Sequence, residues 1–234
     1  MFKNALVHVQ RNYKALLIYI AISASYFAAR VAVEHFMLGK IERDSISSIQ
    51  VTYLLVAGIL TAVVIAMAQT LAFTRLARDI DRPFWKIEPG FPTFFRYCSF
   101  WFTLNYINIA ALLFIGIAPF ENDAKVSMSL FRVLYEVMFI PFGATVMFYG
   151  NTSRQEIVQA LSTMLLQLPR FLLTAFFGLC FIGILDALQT SLPMASLPAL
   201  AVIDAYFSCF IFAYVWEICK FNREEEENSD DMEF

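Results

Sequence analysis

Six long stretches of the chain, roughly 15–38, 50–74, 97–118, 127–149, 171–189 and 197–219, are apolar almost throughout and are joined by shorter polar connections. Each is long enough for a helix to cross about 30 Å of hydrocarbon at about 1.5 Å per residue. A soluble helix would instead alternate an apolar stripe with a polar face. The pattern therefore predicts an all-α polytopic membrane protein, a six-transmembrane-helix bundle over residues 15–221.

Two segments are patterned differently. In residues 1–14, Phe2, Ala5, Leu6, Val9 and Tyr13 recur at helical spacing with Lys3, Asn4, Gln10, Arg11 and Lys14 between them, which predicts a cytoplasmic amphipathic segment in the interface. After the fourth stretch, Ser153 and Glu156 form an S-x-x-E capping box. Ile157, Ala160, Leu161, Met164, Leu165 and Leu168 then repeat at helical spacing until Pro169. This second interfacial helix carries Gln155, Gln159, Ser162, Thr163 and Gln167 on its polar face, and is expected to lie against the membrane surface or under the bundle.

The run Ala15–Ile22, followed by small residues at 23–25, imitates a secretory signal, but the apolar stretch continues to Leu38 and is read as the first span. In the fourth stretch, Pro141 and Gly143 are expected to interrupt the helix. Residues 222–234 change character, with Glu224 to Glu227, Asp230, Asp231 and Glu233, and are read as a solvated acidic cytoplasmic tail.

Composition agrees with a bilayer environment. Of 234 residues, 59% are hydrophobic and only 16% charged, where a soluble domain would carry about a quarter charged. Orientation follows from the uneven spread of Lys and Arg. Lys3, Arg11, Lys14, Arg75, Arg78, Arg82, Lys86, Arg96, Arg154, Arg170, Lys220 and Arg223 fall on one side, against Lys40, Arg43 and Lys125 on the other. The positive-inside rule then makes both termini cytoplasmic. Arg75, Arg78 and Arg82 recur at i, i+3 and i+7, and with Lys86 they form a candidate site for anionic lipid headgroups.

Charges inside the apolar stretches are the main functional lead, because each costs a few kcal/mol in hydrocarbon unless it meets a partner or water. Those singled out are Arg30, Glu34, Arg132, Glu136, Asp186 and Asp204, all in the outer half of the predicted membrane. Counting residues from the outer edges places Arg30 and Glu136 at about 12 and 13 Å, and Glu34 and Arg132 at about 6 and 7 Å. Antiparallel packing of the first and fourth spans would pair Arg30 with Glu136 and Glu34 with Arg132. Asp186 and Asp204 would remain as excess carboxylates.

Enzyme signatures are missing. With only His8 and His35 there is no HExxH, no histidine metal cluster and no His-based triad, and the chain has no P-loop, GxSxG or CxxC. No catalytic residue, metal or cofactor is assigned. Cys98, Cys180, Cys209 and Cys219 are read as small apolar residues of the helices. Nucleic acid is not an expected partner.

In layout, with six spans, a basic connection after the second, and an amphipathic helix leading through Leu168, Pro169 and Arg170 into the fifth, the chain resembles the YciC-like six-span bacterial inner-membrane proteins. The resemblance implies a bacterial inner membrane and no particular chemistry. The expected function is a non-enzymatic accessory or scaffold subunit that associates with membrane lipids, a membrane-protein partner or further copies of itself. The alternative is a small transporter or lipid-handling protein that uses the outer-leaflet charges.

Overall fold

A computed structural model describes residues 1–38, 48–81, 90–117, 137–150, 154–191 and 197–230, and every regular element among them is an α-helix. In chain order these are α1 (Phe2–Arg11), α2 (Tyr13–Leu38), α3 (Ser48–Ile80) and α4 (Phe91–Ile117). They are followed by α5, described over Val137–Tyr149, then α6 (Arg154–Leu166), α7 (Leu168–Ser191) and α8 (Leu197–Asp230). Among the described residues two helices, over Leu55–Ile80 and Ala201–Glu225, are long and apolar enough to cross a membrane. The α6–α7 pair makes a third candidate, but it bends by 85° at Gln167. Pro169 explains the break, since it suits the first turn of α7 and would disrupt a continuing α6.

α8 is the axis of the bundle. Residues 208–219 are buried on every side, so the helix is surrounded rather than seated on one face. α2, α3 and α1 pack directly on it, and α3 in turn carries α2 and α4. A chain of aromatic rings fills the centre: Phe73 stacks on Phe212 with centroids 4.3 Å apart, and Phe73 also meets the edge of Trp101 at 5.0 Å. Trp101 continues to Phe139 at 5.8 Å, while Trp216 meets Phe148 at 5.1 Å. Gly143 makes this approach feasible, because a Cβ there would run into the Trp101 ring, with Cζ3 at 2.7 Å. α5 passes through Pro141 and Gly143 as one helix, and Gly143 lets it pack closely on Trp101.

Several polar groups inside the bundle are matched across helices. Asn105 Nδ2 donates to Gln69 Oε1 at 2.7 Å and to the Trp101 carbonyl at 2.8 Å. Tyr26 and Thr61 share a hydroxyl hydrogen bond of 2.7 Å between α2 and α3. All four cysteines are free thiols; Cys209 and Cys219 are buried as their sequence positions predict, whereas Cys180 is exposed.

α6 buries one residue from each face of its pattern. Ala160 and Thr163 are its buried residues, while Val158, Leu161 and Leu165 are exposed. Part of the predicted polar face therefore looks inward, where Thr163 meets the Tyr149 hydroxyl at 2.7 Å. α8 also continues through the expected start of the acidic tail: Asn222 is buried, Arg223 is partly buried, and the helix runs on to Asp230.

Candidate functional site

The densest group of ionisable side chains lies where α1, the end of α3 and the last buried turns of α8 converge. Amphipathicity places α1 there, because Ala5 and Val9 are buried against the bundle while Lys3, Val7 and Arg11 remain outside. His8 then lies between two carboxylates from different helices. Its Nδ1 is 2.9 Å from Asp79 Oδ2 on α3, and its Nε2 is 3.3 Å from Glu217 Oε1 on α8. Arg11 approaches the other oxygen of Asp79 at 3.8 Å, and Asn4 donates to Glu217.

The three central side chains are mostly removed from solvent, with 17% exposure for His8, 18% for Asp79 and 10% for Glu217. The Glu217 carboxylate beside the ring, joined by Asp79, outweighs the loss of solvent and raises His8 above its ordinary 6.5. Geometry gives the same answer independently. A neutral imidazole has one N–H and one lone pair, and here both ring nitrogens face carboxylate oxygens. Only the doubly protonated ring donates to both.

A second group extends the first along α8. The Arg223 guanidinium pairs with Asp81 through two hydrogen bonds and lies 5.2 Å over the Phe148 ring of α5. Asn222 accepts from Gln167 at 3.1 Å, Gln167 accepts from Arg170 at 2.8 Å, and Arg170 stacks 4.3 Å over Phe221. Arg96 at the start of α4 donates to the Gly150 carbonyl at 3.1 Å. Within seven residues, Glu217 to Arg223, α8 thus binds α1, α3, α5 and the α6–α7 corner. The arrangement fixes helices relative to one another and can hold or release a proton at His8.

Of the basic residues that charge counting assigns to one side, Arg11, Arg170 and Arg223 take part in these groups and Arg96 holds the Gly150 carbonyl. Of the predicted headgroup site, Arg75 is exposed on α3 and Arg78 is half-buried, while Arg82 and Lys86 lie outside the described residues. Of the charges predicted within the membrane, Arg30 is half-exposed on α2 and Asp204 is exposed on α8 beside Val202, Ile203 and Tyr206. Glu34 and Asp186 belong to α2 and α7, but their side chains lie outside the described residues, as do Arg132 and Glu136 entirely. The expected pairs Arg30 with Glu136 and Glu34 with Arg132 therefore fall outside the described residues too.

Sequence reasoning passed over His8, Asp79, Asp81 and Glu217. A usable signal existed for Glu217, a carboxylate inside an otherwise apolar stretch of the same kind that singled out Asp204. Asp79 and Asp81 were hidden among basic residues, and His8 was one polar position of an amphipathic segment. No cluster of three or more potential metal ligands occurs among the described residues. Compared with known family models, characterised proteins and solved structures, the chain matches none of them.

Proposed function

We propose that this chain is a six-span, non-enzymatic integral membrane subunit, with both termini on the cytoplasmic side of a bacterial inner membrane, which associates with other membrane proteins or lipids. The carrying observation is how its side chains are distributed. The charged and amide groups at the basic end bind helix to helix. The outward faces of α3 and α7 are apolar rows, Leu55, Val56, Ile59, Leu60, Val63 and Met67 on one and Leu172, Leu173, Phe176 and Leu179 on the other. Rows of this size suit lipid chains or the helices of a partner.

Lipid association draws further support from the corner at α6. Val158, Leu161, Leu165 and Leu166 are exposed on a helix nearly perpendicular to α7, so α6 would lie in the interface if α7 crosses the membrane. Exposed Lys3, Lys14, Arg75 and Arg154 suit anionic headgroups, at about 1 kcal/mol per residue near the surface. The alternative, a small transporter or lipid-handling protein, is favoured by one observation: Asp204 is an exposed carboxylate on α8 beside the exposed Val202, Ile203 and Tyr206.

Photo-cross-linking residues placed at Leu60 and Phe176 in native membranes test the proposal. A discrete protein adduct at either position supports the accessory reading. Lipid adducts alone at both, together with solute uptake by proteoliposomes holding only this chain, replace it with the transporter reading. Accessibility reporters in each predicted loop check the six spans and both termini.

A further inference from the structure

We propose that His8 is a proton-operated clasp: α1 is docked on α3 and α8 while both ring nitrogens carry protons, and is released as the ring loses one. Three observations carry the proposal.

The first is the two-sided geometry, with Asp79 and Glu217 on opposite nitrogens at 2.9 and 3.3 Å. The groups that face the ring are Asp79 from α3 and Glu217 from α8, with Arg11 of α1 on the far oxygen of Asp79 and Lys220 of α8 acting on Glu217. With a charged ring, His8 and Arg11 balance the two carboxylates. With a neutral ring, one carboxylate faces an imidazole lone pair and the pair of anions lacks its central cation.

The second is that α1 is a separate unit. It ends at Arg11, and Asn12 leaves helical geometry at φ −95° and ψ 28°, capping the His8 carbonyl through both its backbone N–H and its side-chain amide. A ten-residue helix of this kind is marginal alone and depends on its docking face. The third is what lies beneath. Ala5 and Val9 are fully buried, and Phe2 reaches Phe177, Phe210 and Tyr214 with ring centroids 6.1, 5.0 and 6.5 Å away. Release would uncover Phe210 and Tyr214 on α8 and Phe177 on α7, an apolar surface a membrane partner can use.

The clasp rests on the accessory reading for its purpose, but its operation is measured on the chain alone and can fail while the cross-linking result stands. Full-length protein in lipid nanodiscs, labelled in histidine with nitrogen-15, gives ring signals from two residues, His8 and His35, which His35→Gln assigns. The expected result is a His8 ring that titrates above 6.5 with both nitrogens protonated below the transition. Amide-exchange protection factors of residues 5–9 should fall over the same pH range, by about tenfold for each unit of elevation. His8→Lys, permanently charged across that range, should remove the pH dependence, and Asp79→Asn with Glu217→Gln should lower the titration. A His8 ring that titrates at or below 6.5, or protection in α1 that is unchanged through its titration, overturns the clasp. Both readouts are taken on the unmutated chain once His35→Gln has assigned the ring signals, so failure of the His8, Asp79 or Glu217 variants to fold leaves the test intact.

Discussion

Arg223 and Asp81 form a two-point pair across 142 residues of chain, with Nη2 2.7 Å from Oδ1 and Nη1 3.1 Å from Oδ2. The carboxylate is the better buried partner, at 6% side-chain exposure against 22% for the guanidinium. Removing the arginine therefore leaves an uncompensated buried anion, while removing both leaves none. Arg223→Ala should destabilise the protein by roughly 2–4 kcal/mol, and Arg223→Met with Asp81→Leu by clearly less. Denaturant titration of the two variants in detergent checks the order. A double variant as unstable as the single would show that the pair is not the cause.

His8 makes stability pH-dependent in a definite direction. Its folded value is raised above the ordinary 6.5, so its contribution is fully present below 6.5 and is lost as pH rises through the folded value. The midpoint of thermal unfolding should therefore fall as the pH rises above 6.5. His8→Gln should flatten that segment of the curve and lie below the parent at acidic pH. Parallel curves for the two proteins would assign the slope to other groups.

Gly143 is a packing requirement. An added methyl would meet Cη2 and Cζ3 of Trp101 and lie 3.2 Å from Leu104 Cδ1, in a region filled by aromatic rings. Gly143→Ala should cost about 1–3 kcal/mol, as overpacking does, despite the better helix propensity of alanine. Combining it with Trp101→Leu should recover part of the loss relative to Trp101→Leu alone. Tryptophan emission and unfolding midpoints measure both effects.

Asn105 and Gln69 should behave as a unit. Side-chain hydrogen bonds between membrane helices are worth about 0.6 kcal/mol on average, but stranding one buried amide costs about 1–3 kcal/mol. Asn105→Leu alone is thus expected to destabilise more than Asn105→Leu combined with Gln69→Leu. A double-mutant cycle on unfolding free energies checks this, and strictly additive losses would contradict it.

Residue pattern alone revealed that the chain is helical and rich in membrane-length apolar stretches, because hydropathy and helical period are properties of short windows. It also identified α1 and α6 as separate segments ahead of longer apolar helices, since their polar and apolar residues alternate at helical spacing. Which faces pack was less legible. α6 turns Thr163 inward and Leu165 outward, and α8 carries Asn222 into the bundle beyond the expected end of the span, because neighbouring helices supply partners that local polarity cannot reveal.

The candidate site was the least legible part. His8, Asp79 and Glu217 come from three helices, with His8 and Asp79 71 positions apart, and no spacing rule links residues so distant. Each also looked ordinary where it stood, as a polar residue of an amphipathic turn, an acid among arginines, and a carboxylate near the end of an apolar run. The sequence by itself determined that the chain is helical and that some of its helices are apolar enough to cross a membrane, because hydropathy is a local property. Only the tertiary structure decided which charges face each other, because ion pairing depends on distances of a few ångströms, set by how α1, α3 and α8 pack.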